Sequence, residues 1–143
     1  MSQIDSILNT FLNKRQIPHL IFHGRNHNKK IEIVNDFLNK LYYYDTHLKR
    51  DNVYSVDCCY SKGIKFIRED LKLFAKSNVS NGCNNVTFKT IVLYNADYLT
   101  VDAQSALRRC IEVFSHNTRF ILVVENKYKL LNPILSRFCE LYI

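Results

Sequence analysis

The sequence predicts an α/β protein: a three-layer α/β/α sandwich with a five-stranded parallel sheet in the middle. Short apolar runs alternate along the chain with segments in which apolar residues recur at the 3.6-residue helical period. Strands that are apolar on both faces and separated by helices form parallel sheets with helices on each face. The 143 residues are 47% hydrophobic and show no internal repeat or linker, so we expect a single domain over residues 1–143.

The first half of the chain contains two helix–strand pairs. Residues 4–12 place apolar side chains at helical spacing, which predicts an amphipathic helix. Residues 19–23 form an apolar run that stops at Gly24, which indicates a buried strand. The pattern then predicts a second helix over 31–41 and a second strand over 53–56.

The second half repeats the alternation. Residues 64–74 return to helical spacing, and a polar loop is predicted over 77–87. Residues 88–93 are apolar on both faces, which predicts a central strand, and 102–114 predict the next helix. Two more strands are predicted at 120–124 and 139–143.

Composition narrows the class of protein. The net charge of +7 favours a nucleic-acid partner. No apolar run approaches the roughly 18 residues of a membrane span, and the polar first residues lack the basic start of a secretory signal. The five cysteines show no metal-ligand spacing, so we expect reduced thiols, no metal site and an intracellular protein.

The turn after the first strand has the frame of a phosphate-binding loop without its chemistry. Gly24 and Lys30 occupy the first glycine and the lysine of G-x-x-x-x-G-K-[ST]. Lys29 stands where the second glycine lets the backbone approach phosphate, and Ile31 stands where a hydroxyl holds Mg²⁺. Two interpretations stay open: a basic polar turn into a helix, or weak anion binding by Lys29, Lys30 and neighbouring Arg25.

The strand over 88–93 also lacks the groups that hydrolysis needs. An ATPase places an Asp for Mg²⁺ and a Glu for the attacking water after this strand, whereas this chain has Tyr94 and Asn95. Asp97 follows too late to replace them. We therefore expect a pseudo-ATPase that requires no cofactor and binds ATP and Mg²⁺ weakly at most.

Five segments together resemble one known family, at residues 19–24, 56–68, 96–109, 118–120 and 133–137. The most specific is the run Asp-Ala-Gln-Ser-Ala-Leu-Arg-Arg at 102–109, with Ser-Arg at 136–137 downstream. The chain resembles the small subunits of replication factor C, the clamp loader, which are AAA+ proteins. The resemblance implies a P-loop NTPase core over 1–143, without the family's lid and collar domains.

The sequence departs from the family at positions that bear on ATP. The family's Ser-Arg-Cys ending reads Ser136-Arg137-Phe138 here. Glu125 aligns with the family's sensor asparagine, and Asn126 lies one residue away. A glutamate at that position would repel a γ-phosphate. This agrees with the absence of the residues that bind phosphate and Mg²⁺ in an ATPase.

The resemblance also assigns roles to four basic residues. Arg137 matches the arginine finger that acts on a neighbouring subunit's ATP; the alternative is a surface arginine paired with a carboxylate. Lys62, Arg68 and Lys129 match positions that contact template-strand phosphates; the alternative is an ordinary solvated basic face. Arg108 and Arg109 are expected to be structural, pairing around the sheet edge.

The resemblance implies clamp-loader subunits, the sliding clamp and primed double-stranded DNA as partners, in the nucleus or at another replication site. The main hypothesis is a catalytically silent subunit that acts in replication as a scaffold or arginine-finger donor. Two alternatives remain: a weak ATPase that uses Lys30, and a repurposed core that binds an unrelated protein.

Overall fold

The computed structural model describes residues 3–60, 64–77 and 88–143. Its centre is a five-stranded, wholly parallel sheet with strand order β2-β3-β4-β1-β5, which confirms the predicted fold class. The strands lie within one or two residues of their predicted positions. They are β1 (Leu20–His23), β2 (Val53–Asp57), β3 (Lys89–Tyr94), β4 (Thr118–Val124) and β5 (Cys139–Tyr142).

Helices connect the strands and cover both faces of the sheet. They are α1 (Gln3–Lys14), α2 (His27–Leu41), α3 (Thr46–Asn52), α4 (Ile64–Phe66), α5 (Lys72–Lys76), α6 (Val101–Phe114) and α7 (Asn132–Leu135). A π-helical turn, Ile67–Leu71, joins α4 to α5, so the single helix predicted there changes its hydrogen-bond pitch midway. Short 3₁₀ turns follow β3 and β4, at Ala96–Tyr98 and Lys127–Lys129.

The sequence pattern did not predict α3. Its residues are mostly polar, and Leu48 is its one buried apolar side chain, so no helical period is visible. The carboxylate of Asp45 begins the helix by accepting hydrogen bonds from the backbone N–H groups of His47 and Leu48, both at 3.1 Å. Such N-terminal caps stabilise a helix by about 1 kcal/mol.

Two apolar layers hold the helices to the sheet. On one face, Leu107 and Ile111 of α6 pack over β3 and β4. On the other face, Val34 and Leu38 of α2 pack over Phe22 and its neighbouring strands. Burying one such side chain is worth about 1.5–3 kcal/mol, so the two layers fix the strand ends that carry the candidate site.

His19 and Arg119 make hydrogen bonds at the amino ends of β1 and β4. The Nδ1 atom of His19 accepts a hydrogen bond from the backbone N–H of Phe120 at 3.1 Å, and its ring contacts Phe120 and Phe138. Burial, reinforced by the charge of Arg119, lowers the pKa of His19 to about 4. Arg119 Nε donates to the carbonyl of Ile17 at 2.6 Å, which ties the start of the strand layer to the segment after α1.

No helix in the described part of the chain is both long and apolar enough to span a bilayer.

Candidate functional site

The turn that follows β1 is shorter than a phosphate-binding loop. β1 ends at His23 and α2 already begins at His27, three residues before Lys30. The side chain of Asn26 caps the helix by accepting a hydrogen bond from the backbone N–H of Lys29 at 3.1 Å. The N–H of Lys30 bonds to the carbonyl of Asn26, also at 3.1 Å. Two N–H groups of this turn are therefore already bonded within the chain.

The side chain of Lys30 is buried, with 2% of its surface exposed. Its Nζ atom donates hydrogen bonds to the carbonyl oxygens of Gly24 at 2.6 Å and Val124 at 2.8 Å. Burial lowers the pKa of Lys30, and the charges of Asp97 and Glu125 oppose this effect. The ammonium thus joins the turn after β1 to the end of β4. Phosphate binding by Lys30 and Gly24 stays a prediction.

Gly24 is required by backbone geometry. Its φ angle is +140°, which side chains rarely adopt, and a Cβ atom there would lie 2.2 Å from the carbonyl oxygen of Ile143. The N–H of Ile143 donates to the carbonyl of His23 at 2.8 Å, so the pairing of β1 with β5 continues to this point. Glycine at this position lets the backbone at residue 24 lie close to the backbone of Ile143, independently of any ligand.

The end of β3, where an ATPase holds its metal, carries an internal hydrogen bond. Tyr94 is half-buried in the core, and burial raises its pKa. Asn95 adopts a left-handed conformation, φ 56°, and its Nδ2 donates to Asp57 Oδ1 at 2.9 Å. Partial burial works against ionisation of Asp57, but hydrogen bonds from Asn95 and Cys59 outweigh it and lower the pKa of the carboxyl. In the described residues, no group of three His, Cys, Asp or Glu could hold a metal ion.

Asp97 connects the ends of β3 and β4. Its Oδ2 accepts hydrogen bonds from the backbone N–H groups of Glu125 and Asn126, both at 3.3 Å. Its Oδ1 is buried and has no protein hydrogen-bond partner among the described residues. Asn126 itself begins the following 3₁₀ turn by accepting from the N–H of Tyr128 at 3.0 Å. Sequence reasoning missed this role of Asp97, because its partners lie about 28 positions away.

Arg137 lies just before β5, the strand at one edge of the sheet. Its side chain is 37% exposed, and its Nη2 atom contacts Glu112 Oε1 at 2.6 Å. Nη1 donates to the carbonyl of Pro133 at 2.7 Å. The same oxygen of Glu112 also accepts from Arg108 Nε at 3.2 Å. The guanidinium is therefore paired with a carboxylate in this structure, and an arginine-finger role stays a prediction.

Of the three basic residues assigned to DNA, the structure describes two, which lie on separate segments. Lys62 falls outside the described residues. Arg68 lies in the π-helical turn and Lys129 ends the second 3₁₀ turn, and both side chains are exposed. No described carboxylate lies within salt-bridge distance of either one. Both charges therefore face solvent, and contact of these residues with DNA stays a prediction.

Gln104, within the run at 102–109, fixes the turn that carries Lys129. Gln104 is buried, and its Nε2 donates to the carbonyls of Leu99 and Lys129, each at 3.1 Å. Its Oε1 accepts from the N–H of Leu131 at 2.8 Å. This glutamine therefore has a structural role, which the motif alone did not reveal.

Comparison with known proteins decides the family. The replication factor C small subunit 1 of Pyrobaculum islandicum is 33% identical over 137 residues, covering 96% of this chain and 40% of the relative. The small subunit of Halobacterium salinarum is 38% identical over 130 residues, covering 91% and 38%. This chain is a homologue of the replication factor C small subunits. It spans about 40% of the length of these relatives. No family model matches it.

Solved structures confirm the fold of this replication factor C homologue. A DNA polymerase III gamma subunit-related protein from Thermotoga maritima matches with a TM-score of 0.77 and 17% identity, over 99% of this chain and 46% of that one. A RuvB variant from Thermotoga maritima matches with a TM-score of 0.72 and 13% identity. Both matches cover nearly the whole of this chain, so the chain shares the fold of these two proteins.

Proposed function

We propose that this chain acts in DNA replication as a clamp-loader-type AAA+ core that does not turn over ATP itself. Homology to replication factor C small subunits supports the replication role. The main observation in support of a site without ATP turnover is the buried ammonium of Lys30, which donates hydrogen bonds to the carbonyls of Gly24 and Val124. The subunit would serve as a scaffold, or as the donor of an arginine finger, where replication takes place in the cell.

Binding a triphosphate here would require several bonds of the free protein to break. Lys30 would leave two charge-assisted hydrogen bonds, each worth roughly 1.5–3 kcal/mol. The first turn of α2 would open and lose the Asn26 cap, at a further cost of about 1 kcal/mol. Glu125 adds negative charge near Lys30. Neither Tyr94 nor Asn95 would bring a metal carboxylate to offset these costs.

Titration calorimetry with ATP and Mg²⁺ tests the silent site. We expect no saturable heat up to millimolar ATP. The control is Lys30→Ala, because any weak nucleotide binding through the retained lysine should disappear in that variant. A micromolar dissociation constant, about −8 kcal/mol, would contradict the proposal.

The second candidate is a weak ATPase. It is favoured by the presence of Lys30 at the position of the phosphate-loop lysine in a homologue of replication factor C subunits. Steady-state turnover separates the two candidates. Phosphate release that needs Mg²⁺ and is abolished by Lys30→Ala would establish the ATPase, whereas turnover at the level of the Lys30→Ala protein supports the silent core.

For Arg137 we propose the role of arginine finger toward a neighbouring subunit. The residue would have to leave Glu112, and the exposed position of both side chains makes that exchange cheap. Arg137→Ala should lower ATP turnover by a reconstituted loader. A finger is worth on the order of 10³–10⁵ in rate at one site, and less in a ring whose other sites continue.

Glu112→Gln is the matched control for this experiment. It removes the carboxylate that holds Arg137 and leaves the finger free, so turnover should stay equal or rise. Equal rates for Arg137→Ala and the unchanged chain, with the variant shown to be incorporated, would mean that Arg137 is structural.

The proposed partners are other clamp-loader subunits, the sliding clamp and primed double-stranded DNA. Lys62, Arg68 and Lys129 would contact phosphates without reading sequence, in keeping with the net charge of +7.

A further inference from the structure

A groove lies between the π-helical turn and α6, away from the strand ends that carry the candidate site. Its volume is about 350 Å³, at the lower end of the range of roughly 300–1,000 Å³ found for binding pockets. Apolar side chains from both elements form its floor: Ile67, Ala106, Val113 and Phe114. Val113 is 60% exposed, whereas the other three are buried, so the apolar floor opens to solvent at Val113.

The charged side chains that line this groove are all cationic. Arg68 and Lys72 come from the π-helical turn and the start of α5, and Arg109 comes from α6. No acidic side chain lines the groove among the described residues. Cys110 also lies there, and burial raises the pKa of its thiol to about 11, so it adds a neutral, weakly polar surface. The groove therefore combines an apolar floor with a positive rim.

We propose that this groove docks an acidic amphipathic helix of a partner protein. Helices that bind in grooves insert apolar residues at positions i, i+3 or i+4, and i+7, which matches an open apolar floor bounded by two helical elements. Asp or Glu beside those anchors would pair with Lys72 and Arg109. Such complementary charges set the choice of partner and speed association.

Other occupants fit the groove less well. A phosphate backbone would use the cations but leaves the exposed side chain of Val113 without an apolar contact. A second copy of this chain also carries a charge of +7, so the two copies repel each other. Residues 78–87 of the chain contain no acidic side chain to pair with the rim. The apolar floor and the uniform positive charge together favour an acidic protein segment.

The test is selection from a displayed library of 16-residue helical peptides, with affinities of the selected peptides measured by fluorescence anisotropy. We expect sequences with apolar residues at helical spacing and flanking Asp or Glu. Val113→Asp should weaken their binding at least tenfold. Val101→Asp is the matched control, because Val101 lies on the same helix, is 64% exposed and does not line the groove.

Charge reversal makes the test sharper. The double variant Lys72→Glu, Arg109→Glu should lose the acidic peptides and bind versions in which Lys replaces their Asp and Glu. Lys65→Glu is the control, since Lys65 is exposed and lies outside the groove. Arg68 stays unchanged, which keeps proposed DNA contacts intact.

The outcomes separate the proposal from its competitors. Selected peptides without acidic residues, no selection at all, or equal effects of Val113→Asp and Val101→Asp would overturn it. Duplex DNA that displaces the peptides would also overturn it if the Val113→Asp variant no longer binds that DNA. The groove would then be a nucleic-acid site. Thermal unfolding of each variant verifies that the fold is intact.

Discussion

We expect the half-buried ring of His19 to make the fold sensitive to acid. In the folded chain Nδ1 accepts the backbone N–H of Phe120, so the ring is neutral there and a proton on Nδ1 would break this bond. The pKa falls from 6.5 to about 4 through burial and the charge of Arg119. The folded state thus resists protonation in a range where the unfolded chain accepts a proton.

The sign and size of the effect follow from this difference in pKa. The unfolded chain binds more protons between pH 6.5 and 4, so the contribution of His19 is complete above pH 6.5 and is lost as the pH falls through about 4. The difference between a pKa of 6.5 and a pKa of about 4 corresponds to about 3 kcal/mol of free energy of unfolding. Because the ring edge is partly exposed, about 3 kcal/mol is the upper value.

The variant His19→Asn isolates the contribution of His19 protonation to stability. The asparagine oxygen can accept a hydrogen bond from the same N–H group, and the side chain does not titrate. Urea unfolding of both proteins at pH 8, 6, 5 and 4 gives the difference in their free energies of unfolding. We expect this difference to change by about 2–3 kcal/mol in favour of the variant on acidification. Parallel stability curves for the two proteins would refute the reasoning.

Three further predictions concern the candidate site and its surroundings. Lys30→Met should lower the free energy of unfolding by about 2–4 kcal/mol. The loss of two charge-assisted hydrogen bonds destabilises the fold, and removal of a buried ammonium offsets part of that loss. Lys29→Met, at an exposed neighbour, should change it by less than about 0.5 kcal/mol; equal effects in urea unfolding would contradict the structural role. Gly24→Ala should cost more than about 2 kcal/mol, from the positive φ and the close backbone, and a neutral result by thermal unfolding would refute the geometry. Removing the side chains of both Arg68 and Lys129 should flatten the dependence of log K on log salt for duplex DNA by roughly 0.9 per lost contact, and an unchanged slope would place the contacts elsewhere.

The fold could be predicted from the sequence because its strands are apolar on both faces. In the runs at 19–23 and 88–93, residues 20–22 and 91–93 are apolar on both faces, and a parallel sheet covered by helices buries both sides. The helix α3 was not predicted because it has no apolar stripe. The carboxylate of Asp45 stabilises it by capping its first turn. The π-helical turn was also missed, because the apolar spacing over 64–74 does not distinguish it from a regular helix.

The site could be located from the sequence, but its internal contacts could not. Motif spacing placed Lys30 after β1, and in the structure it lies in the first turn of α2. Nothing in the spacing indicates that its ammonium reaches the carbonyl of Val124, which lies 94 positions away. The pairing of Arg137 with Glu112 spans 25 positions and likewise depends on tertiary packing. Contacts of this kind follow from the order of strands and the placement of helices, which single-sequence patterns do not contain.

If the site is silent as proposed, the early start of α2 opposes single mutations toward a phosphate-binding loop. Restoring glycine at position 29 would place it inside an existing helix, where glycine costs about 1 kcal/mol relative to alanine. Restoring threonine at position 31 would add a poorer helix former to the same turn. Neither change frees the N–H group that the Asn26 side chain already binds. Each single change toward the phosphate-loop sequence would therefore lower stability unless the helix cap were removed first.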